Sequence, residues 1–162
     1  MSDDTSQEPE GILSKEPGAV ARWFFRAPIY LYRIGLDGML GQRFVMIEHT
    51  GRNSGLLRRT ALEVVHRDDE SIDVAAAWGV KSDWYRNLQA DPRLKVSSGR
   101  LKGAAATASV LDQASAESVY AGYTEAHPKA AAALSKTVGL PLSDPTRMAA
   151  TVPLVRLTLE PR

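Results

Sequence analysis

Six short runs of β-forming residues, parted by tight turns, constrain this chain more than any other feature. They span residues 43–49, 59–66, 71–77, 94–98, 101–111 and 152–160, and most alternate or are rich in Val and Ile, as in Phe44-Val45-Met46-Ile47 and Leu62-Glu63-Val64-Val65. Turns such as His66-Arg67-Asp68-Asp69-Glu70 and Ser98-Gly99-Arg100 are of hairpin length. Short strands joined by hairpins expose edges unless the sheet closes on itself, so a small antiparallel barrel is expected. Two helical stretches interrupt the strands. Residues 82–90 begin at a capping Ser82 and stop before Pro92. The alanine-rich pair 115–126 and 130–138 is split by Pro128 and closed by Gly139. The expected class is therefore α+β.

Composition narrows the partners. At 162 residues the chain is the right length for one domain, expected over 16–162. The tail before it, residues 1–15, is acidic at its start, poor in apolar groups and unlike a targeting segment, so it is expected to be disordered on a cytoplasmic protein. A net charge of +1 provides no global field for nucleic acid, which disfavours an RNA-binding barrel built on Arg58, Arg59 and Arg100. No cysteine is present, and His49, His66 and His127 are not spaced as metal ligands, so no metal is expected. Residues 19–36 carry too many arginines to span a bilayer. On a helix, Arg22, Arg26, Ile29 and Arg33 form one mostly basic stripe; such a helix either covers the domain or rests on the anionic inner face of a membrane.

The turn between the first two runs is the first candidate site. Gly51-Arg52-Asn53-Ser54-Gly55-Leu56-Leu57-Arg58-Arg59-Thr60 places two glycines, a turn-forming Asn and a hydroxyl beside three arginines. Backbone N–H groups converging in such a loop, with guanidinium forks around them, make a cradle for phosphate or carboxylate. The same composition also fits a plain hairpin turn whose arginines sit in water. The second candidate is Ala75 to Pro92, where a run of small residues, Ala76 and Ala77, passes through Trp78, Gly79 and Lys81 into a helix bearing Trp84, Tyr85 and Asn87. A flat aromatic ligand can lie on that backbone with bulky rings beside it. Trp84 and Asn87, three apart, share a helix face; Trp84 and Leu88, four apart, equally describe a buried stripe. Phosphate loops, dinucleotide fingerprints and nucleophile elbows are absent. With no acid, base or nucleophile set in evidence, the chain either binds a ligand or lets a cofactor do the chemistry.

Gly51-Arg52-x-Ser54-Gly55-x-x-Arg58, followed by Trp84-Tyr85-x-Asn87-Leu88-x-Ala90-x-Pro92, resembles the deazaflavin-dependent nitroreductase family, strongly over Phe44 to Gly99 and more loosely beyond. The resemblance implies a split antiparallel β-barrel of the FMN-binding type, with an N-terminal helix and covering helices, that uses coenzyme F-420; FMN is the less favoured occupant. It further implies a hydride transfer from the reduced coenzyme to a small electron-poor acceptor, an enone, quinone or nitro compound, with a non-catalytic deazaflavin carrier as the alternative. Carried over, Arg52, Ser54, Gly55 and Arg58, with Asn53, Arg59 and Thr60 nearby, would meet the phosphate and acidic tail. Ala76, Ala77, Trp78 and Gly79 would lie under the ring, with Lys81, Trp84, Tyr85 and Asn87 around it. The chain departs from the family pattern at Asn53, where a basic residue is usual, at Ala61, where a proline is usual, and around Trp78; Lys81 and Arg59 are placed to compensate. Tyr120 and Tyr123, three apart on the alanine-rich helix, are the expected substrate-side hydroxyls, with helix packing as their other reading. The natural acceptor and the oligomeric state are not legible at this level.

Overall fold

The computed structural model of the protein describes residues 42–77 and 79–161. The expected tail at 1–15, the basic helix at 19–36 and Trp78 lie outside the described residues. Six antiparallel strands close into a barrel in the order β1-β2-β3-β6-β5-β4. They are β1 (Phe44–Thr50), β2 (Leu57–Arg67), β3 (Ser71–Ala75), β4 (Arg93–Ser98), β5 (Leu101–Val110) and β6 (Leu154–Leu159). Three tight hairpins join β1 to β2, β2 to β3 and β4 to β5, as the turn chemistry implies. Two helical crossovers do the rest. Helix α1 (Asp83–Ala90), entered through a 3-10 turn at Gly79–Lys81, links β3 to β4; helices α2 (Gln113–Ala126), α3 (Pro128–Val138) and α4 (Pro145–Thr151) link β5 to β6.

Alternation on the strands sorts the side chains between two cores. Val45, Ile47, Ile72, Val74, Val96 and Leu157 point inward and are wholly buried, and the barrel end is plugged by Trp84, Tyr85 and Leu88 of α1. A second core forms outside the barrel, where Ala116, Tyr120 and Tyr123 of α2 meet Met148, Val152 and Leu154, with Val65 of β2 packed against them. Burying an aliphatic side chain contributes about 1.5–3 kcal/mol, so two continuous clusters of this size hold the helices to the sheet.

The hairpin register decides what stands where. Because β2 and β3 run antiparallel through Val64↔Val74, the chain leaving β3 heads back toward the start of β2. The end of β1, the start of β2, the end of β3 and α1 therefore share one rim of the barrel. The register slips between Val64 and His66, a bulge that bends β2 beneath α2.

Candidate active site

Both sequence motifs arrive at this rim. The Gly51–Leu56 loop is laced by its own backbone: Gly51 N–H donates to Leu56 O at 2.8 Å and Gly55 N–H to Gly51 O at 2.8 Å. A Cβ on Gly51 would stand 2.7 Å from Ser54 Oγ and 3.3 Å from Leu56 O, so a side chain there would displace the Ser54 hydroxyl and press on the loop backbone. Gly55 is needed for a different reason, its left-handed φ of 66°. The Arg52 N–H is also taken, donating to Asn87 Oδ1 at 3.1 Å. The cradle of free amides is thus narrower than the loop's composition suggests, and the amides of Asn53 and Ser54 are the ones outside this lacing.

The three arginines part company. Arg52 lies back on α1, its Nη1 donating to Asn87 Oδ1 at 2.9 Å and its Nη2 to Asp83 Oδ1 at 3.0 Å. Arg59 turns to the outer face and pairs with Glu48 at 2.7 Å. Arg58 is exposed, touches only Ser54 Oγ at 3.5 Å, and has no carboxylate partner among the described residues. An exposed, unneutralised guanidinium beside a hydroxyl is a donor set suited to phosphate or carboxylate, so the residues present fit an anionic cofactor end.

Beneath the arginines lies a polar chain that sequence reasoning missed. His49 continues the inward series Val45, Ile47 and is only 3% exposed. Its Nε2 stands 3.2 Å from Thr60 Oγ1 and its Nδ1 3.2 Å from Asn87 Nδ2. Burial, and secondarily the Arg58 charge, hold its pKa below the ordinary histidine value. Period-two alternation and the hairpin pairing His49↔Arg58 were the signals that could have found it.

The ring-side residues are placed as follows. Ala76 is buried, with its N–H on Pro153 O at 2.9 Å, and Gly79 opens the 3-10 turn with φ 66°. Lys81 is exposed at the edge of that turn. Trp84 and Tyr85 meet edge to face at 6.1 Å and belong to the barrel core, so the buried-stripe reading of Trp84 and Leu88 holds. Asn87 is 5% exposed and spends its amide on His49 and Arg52.

The two tyrosines also divide. Tyr120 is 1% exposed and donates to Val152 O at 3.1 Å, so it is a packing residue of the second core; burial drives its pKa far up. Tyr123 instead opens onto a cleft of about 550 Å³ on the outer face of β2, which Arg43, Glu63, His66 and His127 also line. Its hydroxyl donates to Glu63 Oε1 at 3.4 Å, and burial together with the Glu63 charge raises its pKa, keeping it protonated. Glu63 stands five residues along β2 from Arg58, about 17 Å at strand spacing.

The fold has solved counterparts. An F420-H2 dependent reductase (FDR-A) is 24% identical over 73% of this chain and 96% of its own, with a TM-score of 0.50. A domain-swapped dimer is 22% identical over 86% and 99%, TM-score 0.52. General Stress Protein 26 of Bacillus anthracis is 14% identical over 83% and 89%, TM-score 0.51. At these identities the likeness speaks for the split-barrel fold. No curated protein matches the chain. The family model described as F420H(2)-dependent quinone reductase matches residues 30–142, well over half of the sequence. The chain belongs to the F420H(2)-dependent quinone reductase family, and is an oxidoreductase that uses coenzyme F-420.

Proposed function

We propose that the chain reduces a quinone-type acceptor with a hydride from reduced coenzyme F-420, the anionic end of the coenzyme on the Arg58 loop and the acceptor in the Tyr123 cleft. The observation that carries this reading is an unneutralised arginine at the rim end of β2 together with a protonated tyrosine of α2 in a cleft over the outer face of the same strand. The matched family's name supports a quinone over the enones and nitro compounds that the sequence alone leaves open.

When bound, the coenzyme supplies the hydride. Arg58 and Ser54 would grip its phosphate and acidic tail, with the segment Ala76 to Lys81 alongside, so that donor and acceptor are held rather than left to collide. Tyr123 would donate to the acceptor oxygen as negative charge develops there, releasing its contact with Glu63. One hydride and one solvent proton convert a quinone to a hydroquinone, so the count closes without a further co-reactant.

The experiment is anaerobic oxidation of the reduced coenzyme by a panel of quinones, enones and nitroaromatics, followed by absorbance. Oxidation fastest with quinones is expected. Binding without oxidation across the panel would replace this reading with a carrier protein.

A further inference from the structure

The hydrogen-bond directions around Asn87 admit a single arrangement. Arg52 can only donate, and it donates twice to one Asn87 atom, so that atom is Oδ1 and the amide nitrogen must face His49. The nitrogen in turn can only donate, so His49 Nδ1 must be a bare lone pair with the ring proton on Nε2, donated to Thr60. A second proton on the ring would set Nδ1–H against the amide N–H. The amide then has to turn its oxygen to the imidazolium, and Arg52 loses the acceptor of its backbone N–H and one acceptor of its guanidinium, which keeps only Asp83.

We propose that His49 is a positioning residue whose protonation, by reversing the Asn87 amide, releases Arg52 from Asn87 and leaves it tied to α1 only through the exposed Asp83, a weak tether from which it swings to the anion-binding loop. The inference rests on the reading that this loop receives the coenzyme's anionic end. The groups that face His49 are Arg58 and Thr60 from β2, Arg52 from the loop, and Asn87 from α1, where Asp83 is already held by Arg52. Glu48 and Arg59 pair on the opposite face of the hairpin, and Lys95 of β4 stands opposite Glu48. Burial and the Arg58 charge oppose its protonation, and a bound anion offsets that charge. By linkage the anion must raise the proton affinity of His49, and acidification must tighten the anion.

Imidazole NMR and a calorimetric titration with coenzyme F-420 test this together. In the wild type His49 should titrate below 6.5; in Asn87→Asp, where a carboxylate accepts from both Arg52 and an imidazolium, it should titrate above that value. An unchanged titration in Asn87→Asp would overturn the proposal. Between about pH 7.5 and about pH 5.5 the wild type should gain roughly tenfold in coenzyme affinity relative to His49→Gln, whose neutral amide keeps the clamp at every pH. Equal pH dependence in the two proteins would likewise overturn it. Loss of the cofactor reading itself registers separately, as no coenzyme binding by any variant at any pH, while the imidazole titrations still decide the amide reversal.

Discussion

The rim and the cleft are built on the same strand, yet they treat polar groups in opposite ways. At the rim Thr60, His49, Asn87, Arg52 and Asp83 form an unbroken chain in which both the oxygen and the nitrogen of the buried amide are hydrogen-bonded. In the cleft Tyr123 holds Glu63 through one long bond of 3.4 Å, with Arg43 sharing the same carboxylate oxygen at 3.3 Å. A paired network of this kind holds its shape for as long as its protonation state is fixed, because breaking a member strands another without water. A loosely paired hydroxyl can change partner at little cost. The rim is accordingly suited to holding a ligand's fixed end, and the cleft to a reaction in which a hydrogen bond must move.

The largest effect expected from this contrast is in the cleft. Tyr123→Phe should lower quinone turnover about a hundredfold, the usual cost of losing one donor to a developing oxyanion, with coenzyme affinity unchanged. Steady-state kinetics beside a binding titration would show the split, and equal losses in both would erase the distinction between the regions. Next in size, Asn87→Ala should cost about 1–3 kcal/mol of stability in denaturant melts, since it strands His49 Nδ1 and the Arg52 N–H. Tyr120→Phe should cost about 1 kcal/mol, by loss of its bond to Val152 O, and leave turnover intact. The smallest change belongs to Asp83→Ala. With 84% of the Asp83 side chain exposed, its pairing with Arg52 is worth at most about 0.5 kcal/mol, so this variant should melt almost as the wild type does.

Much of this was legible beforehand. The six strands emerged within two residues at each end because alternation and tight turns act locally, and the Gly51–Arg58 and Trp84–Pro92 segments were singled out before the register showed that they share a rim. Helix α4 was not expected, although Asp144 caps it by accepting from Arg147 N–H and Pro145 opens it, both readable start signals. Partner choice was illegible for a physical reason. Three arginines of equal chemistry receive three fates because β-alternation sends Arg59 outward to Glu48 while α1 packing draws Arg52 to Asn87. Likewise Tyr120 and Tyr123 are one helical turn apart, and only the position of Val152 and Glu63 decides which hydroxyl is spent on structure.

On the proposed reading Arg58 grips the charged end of the coenzyme rather than its ring. Binding of coenzyme F-420 and of its deazaflavin headgroup lacking phosphate and tail should be compared in the wild type and Arg58→Ala. Arg58→Ala should lose about tenfold or more in affinity for the complete coenzyme and nothing for the headgroup. Equal losses for the two ligands, or no loss for either, would contradict it.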